Sequence, residues 1–224
     1  MNKRFLSLAI AVSFLMTFMT GTVAFAAGDE DDAVMPVLTE DNAVLVENGI
    51  ARIISNEEAE ALLAEGREVE SDYAEQVAEI STAENVGMEN VTRASYSFSV
   101  ISQANALWAS DQVRVTPYVV GPGTITTGES HTFTASFSGN ISFTTPVINA
   151  INASIGLTMS AANNSTFTVA YSVPSGKTGY VIFTPNKRTT VGNVISGSTT
   201  TKVTIVDPVK IGSYADGMYQ LRLT

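Results

Sequence analysis

The chain has no cysteine, a single histidine and a charged fraction of only 15% over 224 residues. Without cysteine there is no disulfide framework, no thiolate zinc site, no iron–sulfur cluster and no thiol nucleophile. With one histidine, His131, any Ser-His-Asp arrangement has to use it, with Glu129 or Asp111 as the acid. There is no G-x-S-x-G elbow, and His131 opens an alternating strand, where a surface imidazole is ordinary. Residues 94–224 contain four acids, all near turns or strand ends, and no His/carboxylate cluster. A glycosidase pair, a metal centre or a bound cofactor is therefore not expected. Aromatic residues are sparse at 8%, and the net charge is −10. Phosphate binding needs a surplus of Lys and Arg, so nucleic acid is not expected as a partner.

The hydrophobic runs have a similar logic. One uncharged run, 5–19, follows Lys3 and Arg4 and leads to Ala24-Phe25-Ala26. It is shorter than the ~20 residues a membrane-spanning helix needs. With the small-x-small pattern at Ala24 and Ala26, it reads as a secretory signal peptide over 1–26, cut before Ala27. The expected location is extracellular. A cysteine-free exported chain suggests a bacterial source.

The charge that is present is unevenly placed. Residues 28–93 carry 18 acidic and three basic side chains, and residues 94–224 carry four acidic and seven basic ones. Such asymmetry marks a boundary. It predicts an acidic, partly helical segment over 27–93 and a Ser/Thr-rich all-β domain over 94–224. In the acidic segment, Asn48-Gly49 between apolar runs signals a type I′ hairpin. Ser55-Asn56-Glu57-Glu58 is a capping box that opens a helix expected to stop at Gly66. A second helix is expected after Ser71, with Tyr73, Val77 and Ile80 as its apolar stripe. Narrow acidic helices are marginal alone. The segment is therefore expected either to dock on something or to be loosely ordered; docking by charge on the weakly basic second half is one option, and in a toxin-like protein the segment would be a pro-segment.

From residue 94 the apolar period changes to two. Examples are Tyr96, Phe98 and Val100; Phe133, Ala135 and Phe137; Ile141 and Phe143; Phe167 and Val169; and runs at 180–183, 202–206 and 218–223. Gly, Pro and Asn punctuate them, at Pro174-Ser175-Gly176, Pro185-Asn186 and Asp216-Gly217 among others. The fold class is mainly β: an antiparallel sandwich or an elongated twisted sheet. Ser and Thr supply 37 of these 131 residues, so the strands alternate between apolar and hydroxyl with almost no charge. Uncharged strand edges also permit self-association.

Two such stretches flank 146–153, an uncharged apolar segment containing Val147, Ile148 and Ile151. These three are either a plug in the sandwich core or a membrane-contacting hairpin tip. The core is the more common place for such residues. With the Val-Pro-Ser-Gly-Lys strand that follows at 173–177, the region 126–190 resembles the membrane-insertion region of aerolysin-type β-pore-forming toxins. That resemblance implies an elongated sheet and oligomerisation on membranes. The sequence as a whole points first to a secreted, non-enzymatic protein that binds an extracellular surface, glycan or protein. A toxin-like pore-former acting at a membrane or cell surface is the alternative.

Overall fold

In a computed structural model the described residues are 24–26, 37–82, 95–163, 169–212 and 214–224. The elements begin with β1 (Ala24–Ala26), β2 (Asn42–Glu47), β3 (Ile50–Ser55), α1 (Asn56–Thr82) and β4 (Tyr96–Leu107). A 3-10 turn (Ala109–Asp111) precedes β5 (Val113–Arg114), β6 (Val119–Val120), β7 (Gly123–Thr126), β8 (Thr132–Thr134) and β9 (Ser136–Gly139). Then come α2 (Thr145–Ile155), β10 (Ser160–Ala162), β11 (Ala170–Val173), β12 (Thr178–Ser196) and β13 (Thr199–Pro208). The chain closes with β14 (Lys210–Ile211), β15 (Tyr214–Ala215) and β16 (Gly217–Leu223). Among the described residues the fold is mainly β and almost wholly antiparallel, with two α-helices.

β12 is the axis. Its 19 residues span about 60 Å at strand rise. Residues 179–185 pair with β16 on one edge, and the opposite edge meets β6 and β5. Residues 187–196 pair with β13, and residues 186–196 pair with β4 on the other edge. The turn expected at Pro185-Asn186 is absent because the strand changes partners there instead of ending. Proline donates no ladder hydrogen bond, so a partner switch suits it. Its carbonyl accepts from the Trp108 N–H at 2.9 Å, and Asn186 N–H donates to the Asp216 carbonyl at 2.8 Å. Beyond β16 the sheet continues through β2, β3 and β1.

The first half of this sheet packs face to face on two smaller sheets, β7–β11 and β8–β10–β15–β14. Val44, Val46, Val181, Phe183, Tyr219 and Leu221 meet Val115, Ile125, Phe133, Tyr171 and Val173 in one sandwich core. Phe183 lies 4.7 Å from Tyr219 and 5.6 Å from Phe133 between ring centroids. The two tyrosine hydroxyls buried in this core are satisfied. Tyr171 donates to the Tyr219 carbonyl at 2.8 Å, and Tyr219 donates to the Asn163 carbonyl at 2.6 Å. The second half of the sheet has a helix on each face. Phe137 on β9 packs with the residues under α2, while its neighbour Ser138 meets Tyr73 of α1 at 3.2 Å.

The acidic segment is built into this sheet. Val44, Leu45 and Val46 pair with β16, and the hairpin turn has Asn48 and Gly49 at φ 53° and 72°, as a type I′ turn requires. Half of the capping box forms: Glu58 N–H donates to Ser55 Oγ at 3.1 Å, while the Glu58 carboxylate pairs with Arg52 at 2.7 Å. The expected stop at Gly66 and second start after Ser71 are not found. One 27-residue helix, about 40 Å long, runs through both. Gly66 is a contact point instead: a Cβ placed there would lie 2.0 Å from the Leu107 carbonyl oxygen.

The segment docks, and not chiefly by charge. Ala59 and Leu63 bury against Ala43, Leu45, Ile54, Leu107 and Met218. Glu57, Glu60, Glu68, Asp72 and Glu75 are exposed, and Glu60 makes one 3.6 Å ion pair with Arg222. An apolar stripe and a β-ladder hold the segment because exposed ion pairs contribute little. The predicted boundary at 93 lies outside the described residues.

β4 is an edge strand with no other strand pairing on its outer side among the described residues. It bears no charged residue, and a register shift places Ile101 as a bulge.

Candidate binding cleft

The segment at 145–155 plugs a core with Val147 and Ile151, the more common of the two expected places, and does so as a helix. It is the helix α2, not a hairpin tip. Pro146 occupies its first turn, and Gly156 ends it at φ 58°. Val147 and Ile151 are fully buried against Phe98, Val194, Val203 and Ile205. Ile148 is half-buried. In this conformation the three residues are not a membrane-facing tip. Arg188 fastens the helix end by donating to the Ile155 and Gly156 carbonyls at 3.0 and 3.2 Å, while Asp207 binds the same guanidinium at 2.7 and 3.1 Å.

Of the proposed cleavage residues, Ala24 and Ala26 lie in β1, which borders β3 with Ala24 opposite Arg52 and Ala26 opposite Ile50. Ala27 and most of the leader lie outside the described residues, as do Phe167 and its neighbours. His131 Nε2 is 3.9 Å from a Glu129 oxygen, and the His131 N–H donates to Asn163 Oδ1 at 2.6 Å. Asp111 is not part of that group, since its carboxylate contacts Lys187. No group of three or more metal-ligating side chains occurs among the described residues.

The molecule has a cleft of ≈280 Å³ where the two sequence halves meet. The β2–β3 hairpin supplies Leu45, Glu47 and Asn48, and α1 supplies Leu62 and Glu65. The end of β4 supplies Asn105 and Leu107, and the far wall holds Asn186 and Asp216. The apolar lining is Leu45, Leu62, Ala106, Leu107 and Val209, and the polar lining is three carboxylates and three amides with no basic residue.

The groups have distinct duties. Asp216 holds the hairpin, accepting from the Asn48 and Gly49 N–H groups at 2.9 and 3.5 Å. Burial pushes its carboxyl above the ordinary carboxylate range, and the two turn amides oppose that shift. Glu47 is 3.7 Å from Arg52, which is bound more closely by Glu58 at 2.7 Å. Glu65 makes no hydrogen bond or ion pair among the described residues. Asn186 Oδ1 is buried without a donor. A buried acceptor left unpaired is costly, so this atom favours a ligand that donates to it.

The sequence marks none of these lining residues as a site: Asn48, Asn186 and Asp216 stand out only as turn residues. Asn48, Glu65, Asn105, Asn186 and Asp216 are scattered over the chain, and no local motif joins them. The signal available was indirect: Asn48-Gly49 fixed the hairpin, and Asp216 is one of only four acids in the second half.

Compared with known proteins, the chain matches no family model, no curated protein and no solved structure.

Proposed function

We propose that the protein is a secreted, non-enzymatic binding protein whose cleft receives a basic group from an extracellular protein partner. The lining of the cleft carries this reading. Carboxylates and an unpaired amide acceptor line the cleft beside leucine side chains; no basic residue lines it, Arg52 lies 3.7 Å from Glu47, and Glu65 has no ion pair among the described residues. A lysine or arginine side chain suits such a site, with its aliphatic stem on Leu45, Leu62 and Leu107 and its charged head at Glu65 and Asn186.

Calorimetric titration with a short lysine-containing peptide tests the proposal. Binding is expected to weaken when the lysine is acetylated, because the charge and two donors are lost. Glu65→Gln is expected to weaken it about threefold, the scale of a partly exposed ion pair. Equal affinity for the acetylated peptide would sink the reading.

The length of β12, and the near-uncharged hydroxyl-rich strands beside it, support a second reading as a toxin-like protein that inserts strands into membranes. That route requires α2 to leave the sheet and expose Val147 and Ile151. Release of dye from loaded liposomes separates the readings: leakage favours the second, and intact vesicles favour the first.

A further inference from the structure

A chain without cysteine has no disulfide with which to brace an exported fold. One cluster outside the cleft provides the parts for another covalent brace. Lys187 on β12 has only 8% of its side chain exposed, and its Nζ contacts Oδ2 of Asp111 in the 3-10 turn. The same Nζ lies 5.3 Å from the centroid of the Trp108 ring. Trp108 is buried and meets Tyr73 of α1 at 5.4 Å. Its indole N–H is buried without an acceptor.

Both partners are held by backbone. Lys187 sits in a ladder opposite Ala106 of β4 and Pro208 of β13. The turn is tied to β12 by the 2.9 Å bond from the Trp108 N–H to the Pro185 carbonyl, and Asp111 N–H closes it on the Trp108 carbonyl at 3.2 Å. Glu70 acts as a positioning residue, since both of its carboxylate oxygens accept from the Ser110 N–H at 3.2 and 3.3 Å. An amine and a carboxyl carbon fixed in this way have the proximity that turns a slow condensation into an intramolecular one. Retaining the ions requires a buried ammonium to be compensated by a carboxylate that is 40% exposed, whereas the condensed product is neutral.

We propose that Lys187 and Asp111 become joined by an intramolecular isopeptide bond. A proton passes from the ammonium to the carboxylate, leaving a free amine and a neutral acid. The Nζ lone pair attacks Cγ of Asp111, forming the new C–N bond. The C–O bond then breaks, and the hydroxyl departs as water with one proton from nitrogen. The ammonium and carboxylate become an amide and one water, the charge cancels, and no oxidant or co-reactant is needed. The exposed side of Asp111 gives the water an exit.

The test is the intact mass of the purified full chain, compared with its sequence from the observed N-terminus. The wild type is expected to be lighter by one water. A tryptic digest is expected to give residues 94–114 joined to residues 178–188, with cleavage after Lys187 blocked. Lys187→Arg keeps a cation beside Asp111 and is expected to return to its sequence mass. Its thermal midpoint should fall by roughly 10 °C, the scale for losing a cross-link that closes a long loop. A wild-type mass equal to the sequence mass overturns the proposal regardless of how any variant folds. A water loss that persists in Lys187→Arg also overturns it, because that loss lies elsewhere.

Discussion

Gly66→Ala is expected to destabilise the protein by about 3 kcal/mol, the upper part of the usual overpacking range. Helix propensity alone gives the opposite sign, because alanine in a helix interior is favoured over glycine by about 1 kcal/mol. Geometry decides between them. An added Cβ would fall 2.0 Å from the Leu107 carbonyl oxygen and 3.1 Å from its carbon. These are backbone atoms at the end of β4, so no side-chain rotation relieves the clash. Either α1 lifts or β4 shifts, and both lie beside the cleft. Equilibrium denaturant unfolding measures the effect. A stabilised Gly66→Ala variant would show that α1 does not rest on Leu107.

Ile151→Ala is expected to cost about 2–5 kcal/mol, the range for truncating a buried aliphatic side chain to alanine. Ile151 is fully buried between α2 and the sheet, with Val147, Val203 and Ile205 around it. Ile148→Ala should cost much less, because Ile148 is only half-buried. The contrast separates a helical plug from an exposed tip, on which both truncations would be nearly neutral. Thermal unfolding of the two variants, run in parallel, provides the comparison.

These two positions also show where the sequence was legible. In α1 the residues Ala59, Leu63, Gly66, Glu70, Tyr73, Val77 and Ile80 repeat at three- and four-residue intervals. The stripe is continuous only if Gly66 and Glu70 are counted within it. Read as punctuation, Gly66 divides the helix in two; its packing role depends on Leu107, which is 41 positions away. In α2 the cues were local. Pro146 at the start, Gly156 after the end, and Val147, Ile151 and Ile155 at helical spacing all mark a helix. The Ser/Thr alternation on either side is what makes a hairpin tip an alternative to a core plug there.

The strand pattern was the most legible feature, because period two and turn residues act locally. β13 and β16 fall where the alternation places them, and the alternation marks the first parts of β4 and β12, which run on to Leu107 and Ser196. Pro185 reads locally as a strand end, whereas it sits where β12 changes partners, and that is a property of the whole sheet. The acidic segment was legible as a hairpin and a helix. Its place beside β16 was not, since the pairing of residues 43–46 with 217–220 joins opposite ends of the chain.

The central claim is that the acidic segment and the β half form one folded body, since the cleft takes its walls from both. The most direct test is denaturant unfolding followed by two signals in the same samples. Helical ellipticity reports mainly on α1, the longer helix. The fluorescence of Trp108, the only tryptophan, reports on the contact between Tyr73 and the sheet. One cooperative body gives coincident transitions with the same midpoint and slope. Loss of ellipticity at lower denaturant, with the Trp108 signal still native, would contradict the account and make α1 a separable arm.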